Sequence, residues 1–569
     1  MNDNNTALKP SHLWRVKKHW SLVLMLLVLP LTVAMAEPNK NSTTDHSKFK
    51  QLQGPFKSAE EVTKACLTCH TEAAKQVMDT RHWTWEYKNP KDGKTIGKKT
   101  MLNGFCIGDK SNQAFCNGCH VGYGWKDDHF DFKAQEKVDC LVCHNKGGYV
   151  KPLGNAGYPR MEREESPVGS GKFLEPVDLA KVAQTIGKTS TKTCGSCHYA
   201  GGGGDGVKHG DLDSSLDKAP KDLDVHMASK EAGGQGFTCA TCHKSEGHKI
   251  AGSRISMTAS DPHGAMIRGA AMGSRNPATC QSCHGDKPHK QSLLRVNLLN
   301  AHTDKLACQS CHIPAFARGG IATKMQWDWS KAGENTGYGK PVTRKDAHGH
   351  VVYDGRKGSF VYGENVTPEY LWFNGETTWL TQDDKIDPSK TVAINTYYGD
   401  PNDGKSRIWP IKRFKGKQPY DLEYNTLLVP HTAIPDDTAL WYNFDWQKAL
   451  TTGAQATGKP YSGKYGFVNT EMLWPITHMV APKDKAVSCV QCHSNANGKS
   501  DAANHGDNPE VRGRLASITH GVYMPGRSQD HLKWLDILGW LGVVGAIAFV
   551  IVHTIGRVMT RKTHQKSSD

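Results

Sequence analysis

Eight segments of the chain share one arrangement, in which two cysteines are separated by two residues and a histidine directly follows the second cysteine. Two thiols at this spacing can form thioethers to one porphyrin, and the histidine then supplies the proximal nitrogen to iron. Zinc ribbons and thioredoxin-like sites also pair cysteines, but they do not require the histidine in all eight copies. The sequence therefore predicts eight covalently bound haem c groups. The predicted attachment residues are Cys66, Cys69 and His70; Cys116, Cys119 and His120; Cys140, Cys143 and His144; Cys194, Cys197 and His198; Cys239, Cys242 and His243; Cys280, Cys283 and His284; Cys308, Cys311 and His312; and Cys489, Cys492 and His493.

A second axial histidine would make a haem an electron carrier rather than a reaction centre. The chain has 28 histidines, which is enough to give nearly every haem a second one. We choose candidates by their proximity to a motif or to a glycine-bordered turn. The candidate distal ligands are His82, His209, His226, His248, His263, His289, His302 and His478. His46, His348 and His350 are interpreted as ordinary solvated or hydrogen-bonded histidines.

Two features outside the motifs could support catalysis. Cys106 is the only cysteine that is not part of a motif, and a soft sulfur near a haem could interact with sulfur-containing substrates. A buried, inert cysteine is the alternative. The glycine-rich segment 201–211 follows the fourth motif and contains Asp205, Lys208 and His209. Lysine binds iron only when neutral, so Lys208 would be a ligand that substrate displaces more easily than histidine.

Both ends of the chain indicate a membrane. A basic start, an apolar run from Trp20 to Val33 and the sequence Ala34-Met35-Ala36 predict a signal peptide over 1–36, with an uncleaved anchor as the alternative. From Trp534 to Gly556 the chain is nearly all apolar, and about 23 residues at a 1.5 Å rise span about 34 Å. The basic residues after it predict a single-pass protein on the periplasmic face of the bacterial inner membrane, with a cytoplasmic C-terminus. A buried core helix is the alternative for this second segment.

The net charge of +15 would ordinarily suggest an anionic macromolecule as partner. The propionates of eight haems offset much of that charge, and the chain has no nucleic-acid motif. We therefore expect no nucleic-acid partner.

The segments between the attachment motifs must hold the haems, and the spacing of the motifs predicts the architecture. We expect a mainly α fold with extensive loops and few strands, in which the haems form the core, plus one C-terminal transmembrane helix. Residues 37–312 would carry haems 1–7 and residues 489–531 haem 8. Residues 313–488, which are rich in Trp and Tyr, are interpreted as a haem-free insertion packed on the haem core. Residues 532–569 would form the anchor and a basic cytoplasmic tail.

The chain resembles the octahaem tetrathionate reductase family over most of residues 60–530. The segments that carry the resemblance are HWTW (82–85), CNGCHVGYGW (116–125), VDCLVCH (138–144), GGGGDGVKHGDLDSSL (201–216) and ACQSCHIPAFARGG (307–320). The resemblance implies seven haems with two histidine ligands and a second haem with a distal lysine that forms the active site. On this chain it implies catalysis at the haem of Cys116, Cys119 and His120, with Lys208 as the first-choice ligand, Lys151 as the second, and Asp205 and Cys106 nearby.

We therefore expect a reductase that converts tetrathionate to thiosulfate. Nitrite or hydroxylamine reduction to ammonium is also possible at such a haem, and so a small inorganic sulfur or nitrogen oxyanion is the expected substrate. A quinol-oxidising membrane protein or a periplasmic cytochrome would donate the electrons. The alternative from another class is a non-catalytic conduit between the quinone pool and a periplasmic acceptor.

Overall fold

The computed structural model describes residues 44–166, 170–252, 278–285, 287–290, 293–492, 514–515 and 533–566. The predicted signal peptide lies outside these residues, as do the predicted ligands His263 and His493.

The helices in the described part of the chain are mostly short, because many of them end at a haem-attachment motif. In the helix of the fourth motif, the Ser190 hydroxyl accepts from the Thr193 amide at 3.2 Å, and the Thr193 hydroxyl accepts from the Ser190 amide at 2.9 Å. This capping box fixes the start of the helix, which then ends at His198. The helices are α1 (Ala59–Leu67), α2 (Ala73–Met78), α3 (Arg81–Thr84), α4 (Gln113–Cys116), α5 (Leu141–His144), α6 (Leu179–Gln184), α7 (Thr191–His198), α8 (Cys239–Cys242), α9 (Gln281–His284), α10 (Leu293–His302), α11 (Cys308–His312), α12 (Leu440–Asn443), α13 (Trp446–Thr457), α14 (Cys489–Cys492) and α15 (Lys533–Lys566).

Strands are more extensive than the sequence analysis predicted. The strands are β1 (Tyr87–Lys88), β2 (Thr95–Ile96), β3 (Glu164–Glu165), β4 (Phe173–Leu174), β5 (Ser245–Glu246), β6 (Lys249–Ile250), β7 (Thr323–Asp328), β8 (Thr343–Lys345), β9 (Val351–Asp354), β10 (Gly358–Gly363), β11 (Glu369–Phe373), β12 (Thr377–Trp379), β13 (Val392–Ala393), β14 (Asn395–Tyr397), β15 (Arg407–Asp421) and β16 (Tyr465–Pro475). An eight-stranded sheet has the order β13-β16-β15-β7-β10-β9-β8, with β11 also paired to β15. The helix content is 29% and the strand content 19%, so the mainly α expectation is not confirmed.

The physical reason for this difference lies in β15, the longest strand. Most of its residues are buried, so its sequence shows no alternation of polar and apolar positions from which a strand could be recognised. Its first part, 407–411, pairs with β11 and its middle part, 415–417, with β7, while β16 pairs with residues 411–421. All strands from β7 to β16 fall within the segment 313–488 that we predicted to be haem-free.

The sheet packs against the segment that carries Cys106. The rings of Phe105 and Phe414 lie 4.2 Å apart, and the Trp329 indole donates a hydrogen bond to the Phe105 carbonyl at 2.9 Å. A side chain at Gly104 would come within 2.8 Å of the Phe414 ring, so glycine permits this close approach. The sheet thereby holds the segment around Cys106 in a fixed position.

The C-terminal helix α15 contains a span that is long and apolar enough to cross a membrane. The span covers Ile537–Thr560, 24 residues with a mean hydropathy of 2.1, and none of its most apolar window is buried against the rest of the protein. At about 1.5 Å per residue, such a span is about 36 Å long. The exposure of its apolar side chains argues against the alternative of a buried core helix.

Candidate functional site

The cysteines of different motifs lie against one another. Direct contacts join Cys66 to Cys140, Cys119 to Cys197, Cys194 to Cys239 and Cys280 to Cys308. Electrostatic proximity further links Cys143 to Cys194, Cys242 to Cys283 and Cys311 to Cys492. In space the motifs therefore follow the order first, third, fourth, fifth, sixth, seventh and eighth, with the second beside the fourth. Such a succession of attachment sites is suited to electron transfer between neighbouring haems.

Five pairs of histidine rings each combine one motif histidine with one histidine from elsewhere in the chain. Two metal–imidazole bonds of about 2.0–2.1 Å, with about 1.1 Å from each nitrogen to its ring centre, separate the ring centres by about 6.3 Å. The observed separations of 6.1–6.5 Å leave the right space for an iron ion, so these residues fit a haem with two histidine ligands. The pairs are His46–His70, His82–His198, His226–His284, His243–His478 and His289–His312.

The structure thus brings His82, His226, His289 and His478 to motif histidines. His46 was interpreted as an ordinary histidine, and the structure corrects this, because its ring stacks on His70 at 6.5 Å and 20°. The sequence signal that we missed is Asp45, whose carboxylate accepts from the Ser47 amide and so caps a short 3₁₀ turn beginning at His46.

Hydrogen bonds at the Nδ1 atoms orient several of these rings and fix which nitrogen remains for iron. The Nδ1 partners are the Gly187 carbonyl for His144 (2.9 Å), the Ala251 carbonyl for His243 (2.8 Å), Gln76 for His248 (2.8 Å), Asn300 for His289 (3.1 Å) and Asp211 for His478 (3.3 Å). His248 also lies near His144 and His70, whose charges lower its pKa after the larger effect of burial. His248 therefore lies close to the histidines of the third and first motifs.

His120, the histidine of the second motif, has a different environment. Its ring is fully buried, and its Nε2 lies 2.7 Å from the Trp83 carbonyl oxygen. Nδ1 is buried without a hydrogen-bond partner in the described part of the chain, and a side chain at Gly122 would come within 3.0 Å of it. Burial lowers the pKa of His120 to about 3, so the ring is neutral and Nε2–H donates to the carbonyl. The aromatic cage around the ring consists of Trp83, Trp85, Trp125, Phe130 and Phe132, at centroid distances of 4.8–6.1 Å.

The cage leaves neither nitrogen of His120 open to iron, in contrast to the proximal role that we predicted. Lys151, the second choice among the lysine ligands, lies beside this motif instead. Its Nζ donates to the His120 carbonyl at 2.7 Å and forms an ion pair with Asp139 at 3.0 Å. The side chains of Lys151 and Asp139 are 6% and 0% exposed. Tyr123 and Tyr149 also donate to the Asp139 carboxylate, at 3.0 and 2.9 Å.

The first-choice lysine lies elsewhere. Lys208 and His209 both contact the Trp474 ring, with Nζ 4.4 Å and the imidazole 4.7 Å from its centre. Asp205 is exposed, and its carboxylate accepts from the amide of Ser214 at 2.9 Å and from the Ser214 hydroxyl. Asp205 therefore ties the glycine-rich segment to the following turn rather than to the second motif.

Cys106 lies in a basic environment next to the second motif. Burial raises the pKa of its thiol, the nearby Asp109 raises it further, and Lys357, Lys324 and Lys98 oppose this effect. The charge of Cys106 in turn affects Cys116, which places the two thiols near each other. Lys98 donates to the Cys116 carbonyl at 2.8 Å and pairs with Asp109 at 3.3 Å. We call Cys106, Lys98, Lys324 and Lys357 the basic cluster.

Lys324 is the most deeply buried lysine of the basic cluster. Its residue is 7% exposed, and its Nζ lies 3.6 Å from the centre of the Phe360 ring and 4.2 Å from that of Trp327. Burial, and secondarily the charge of Lys357, lower the pKa of Lys324 to about 7. A buried ammonium held mainly by aromatic faces is well suited to receive an anion. No charge or periodicity signal in the sequence marked Lys324 or Lys357, because they become neighbours only when β7 and β10 pair.

Among the remaining predicted ligands, His302 lies near the eighth motif. His302 ends α10, and Leu306, one turn further on, packs in a cluster with Cys492 of the eighth motif. This places His302 near the motif whose own histidine, His493, lies outside the described residues. Within the described ranges, no group of three or more His, Cys, Asp or Glu residues could hold a bare metal ion.

Comparison with known proteins agrees with this arrangement, which defines a multihaem c-type cytochrome. Residues 41–145 match the family described as cytochrome c554 and c-prime, and residues 324–496 match the family described as bacterial cytochrome c. The crystal structure of an octahaem cytochrome c from Shewanella oneidensis is 39% identical in sequence, with a TM-score of 0.68, over 82% of this chain and 98% of that chain. No curated protein matches the chain. The chain belongs to the octahaem tetrathionate reductase family.

Proposed function

We propose that the protein carries eight haem c groups and reduces a small sulfur oxyanion, tetrathionate, to thiosulfate at its second attachment site. The observation that carries this proposal is the contrast between His120 and Lys151. The ring of His120 is enclosed with its Nε2 bonded to the Trp83 carbonyl, while the Lys151 amine lies beside the same motif. Lys151 would hold the iron of this haem, the role that the motif histidine would have at the other sites.

The basic cluster supports an anionic substrate. The charge of Lys357 lowers the pKa of Lys324, and both lysines interact with the charge of Cys106. An anion between them would relieve this repulsion and replace the hydration that burial removes. Tetrathionate carries a negative charge at each end, so it matches more than one ammonium. The thiol of Cys106 would lie against the sulfur chain.

The chemistry requires two electrons and the cleavage of the central S–S bond, which releases two thiosulfates. The bound haem would supply an iron site and the electrons. Lys98, Lys324 and Lys357 would bind the terminal sulfonates and stabilise the charge that develops on the leaving thiosulfate. Asp139 would hold the Lys151 ammonium, at the 3.0 Å Nζ–Oδ2 contact, whenever that amine is not bound to iron.

The location and electron source are also proposals. We propose that α15 crosses the bacterial inner membrane and that the haem-bearing part lies on the periplasmic side. Electrons would come from a quinol-oxidising membrane protein or a periplasmic cytochrome and pass along the succession of motifs. Nitrite and hydroxylamine reduction at the same haem remain alternatives within this proposal.

The succession of motifs also favours a second candidate, a non-catalytic conduit. The decisive experiment is a turnover assay of the purified holoprotein with reduced methyl viologen as donor and tetrathionate, nitrite or hydroxylamine as acceptor. The proposal is supported if the natural protein turns over tetrathionate and Lys324→Gln raises KM for it. The haem spectrum of the variant should be unchanged. Lys385→Gln, which changes an exposed lysine on the loop between β12 and β13, is the control and should leave KM unchanged. The absence of turnover with all three acceptors, in a protein that still reduces and reoxidises fully, would favour the conduit.

A further inference from the structure

At the fifth motif, a buried carboxylate lies directly behind one of the two paired histidines. The Nδ1 of His478, the partner of His243, lies 3.3 Å from the Asp211 carboxylate and 3.1 Å from the Thr477 hydroxyl. At the sixth motif a carboxylate lies further away, with the Nδ1 of His226 4.0 Å from Asp224. Two other Nδ1 atoms in these pairs contact neutral oxygens. They are the Ala251 carbonyl for His243 and the Asn300 amide for His289, at 2.8 and 3.1 Å.

Asp211 is a buried anion. The residue is 1% exposed, and its Oδ2 also accepts from the amides of Thr477 and His478, at 2.7 and 2.9 Å. A carboxylate that accepts several N–H bonds stays ionised even when buried. Its other oxygen, Oδ1, has no hydrogen-bond partner in the described part of the chain. The negative charge of Asp211 acts on His478, through the hydrogen bond and at short range, and also on the buried Lys412.

A carboxylate behind a ligating imidazole makes that imidazole a stronger donor, and its negative charge favours the more positive oxidation state of the metal. We propose that Asp211 lowers the reduction potential of the haem bound by His243 and His478. This inference concerns electron transfer and holds whichever oxyanion the second site reduces. The glycine-rich segment 201–211 thereby has a role distinct from the one predicted for it, because it delivers Asp211 to the fifth haem.

The position of the fifth motif in the succession determines how a lowered potential there would affect electron transfer. The fifth motif lies between the fourth, through the contact of Cys194 with Cys239, and the sixth, through Cys242 and Cys283. The second site joins the succession at the fourth motif, through Cys119 and Cys197. An electron that enters near the eighth motif must pass the fifth haem to reach the second site. A low potential at the fifth haem makes electron transfer onto it unfavourable. Electrons that have passed it toward the second site would therefore return more slowly toward the eighth motif.

The test is a spectroelectrochemical titration of the full-length holoprotein in detergent, comparing the natural chain with Asp211→Asn. Asparagine keeps the size and can still accept from the three N–H groups, but it removes the charge. We expect one haem to titrate at a higher potential in the variant, with its reduction equilibrium constant raised at least tenfold, which is 59 mV for one electron. The low-spin signals in the electron paramagnetic resonance spectrum should be unchanged in number, because ligation by His478 persists.

A reciprocal variant keeps the test decisive if Asp211→Asn does not fold. Asn300→Asp places a carboxylate behind His289, so one further haem should shift to a lower potential. The proposal is overturned if Asp211→Asn leaves every midpoint potential in place, or if it converts a low-spin haem to high-spin, since Asp211 would then only hold His478 in position. An unchanged titration of Asn300→Asp with intact low-spin signals would also contradict it.

Discussion

The Nε2 atom of His120 lies 2.7 Å from the carbonyl oxygen of Trp83, within a cage of five aromatic rings. A motif histidine that ligates iron must present this same nitrogen to the metal. The hydrogen bond and the cage together divert the ring, and Lys151 is the nearby amine that can take its place. The special character of the second site thus depends on residues 82–132 rather than on a change in the attachment motif.

The aromatic cage should be tested by Trp125→Ala. Trp125 is 3% exposed, and its ring centre lies 4.8 Å from that of His120. We expect the free energy of unfolding to fall by about 3–5 kcal/mol, because a large buried aromatic side chain is lost. Guanidinium unfolding followed by Soret circular dichroism measures this change. Tyr338→Ala, at a residue that is 60% exposed, is the control and should change the free energy by less than about 0.5 kcal/mol.

The basic cluster predicts a pH dependence of substrate binding. Because the pKa of Lys324 is lowered to about 7, its ammonium is present below that pH and is lost as the pH rises above it. KM for tetrathionate should therefore increase between pH 6 and 8. Lys324→Arg, whose guanidinium stays charged, should flatten this increase. A KM that rises equally in both proteins would show that another group titrates.

The same lowered pKa has a consequence for stability. The unfolded chain would bind a proton at Lys324 up to about pH 10.4, whereas the folded substrate-free protein releases it near pH 7. Between these values the unfolded state binds more protons, so this group makes the free energy of unfolding rise with pH. Lys324→Met should remove that contribution. Parallel slopes for the two proteins in unfolding measured from pH 7 to 10 would contradict the placement of Lys324.

Lys412 should be a structural lysine. It is fully buried, and its Nζ donates to the carbonyls of Val207 and Lys208, at 3.0 and 2.9 Å, and to the Thr323 hydroxyl at 2.5 Å. Lys412→Met keeps the volume but leaves these acceptors without their donor, so we expect a loss of about 1–3 kcal/mol in the free energy of unfolding. Denaturant titration measures it, and Lys415→Met, on the same strand, is the control.

The C-terminal helix should determine membrane association. A chain that ends at residue 530 lacks the span Ile537–Thr560 and should move from the membrane fraction to the soluble fraction. Its haem spectrum and its turnover with reduced methyl viologen should match those of the full chain. A truncated chain that still sediments with membranes would show that another surface binds them.

The sequence was sufficient for the haem chemistry because attachment depends on a local motif. It also selected His82 and His478 as candidate distal ligands, and each of these rings lies beside a motif histidine, although not that of the motif nearest in sequence. It could not rank candidates whose position depends on long-range contacts. Lys208 was preferred over Lys151 because the glycine-rich segment is distinctive, but only the folded chain shows that Lys208 contacts Trp474 while Lys151 lies beside His120.

The large sheet was missed for a related reason. The strand β15 is buried along most of its length and contains proline, glycine and five basic residues, so neither alternation nor strand propensity identifies it. His46 was missed because Asp45 indicates only a capped turn at this histidine, and such a cap does not distinguish a ligand from a surface residue. Its role becomes visible only from its stacking on His70.

The most direct test of the central claim is near-infrared magnetic circular dichroism of the fully oxidised holoprotein and of two matched variants, Lys151→Gln and Lys208→Gln. This method distinguishes a haem with a lysine ligand from one with two histidines. We predict the signal of a single lysine-ligated haem in the natural protein. This signal should disappear in Lys151→Gln and persist in Lys208→Gln. A lysine signal that disappears only in Lys208→Gln, or bis-histidine signals alone in the natural protein, would contradict the assignment of the second site.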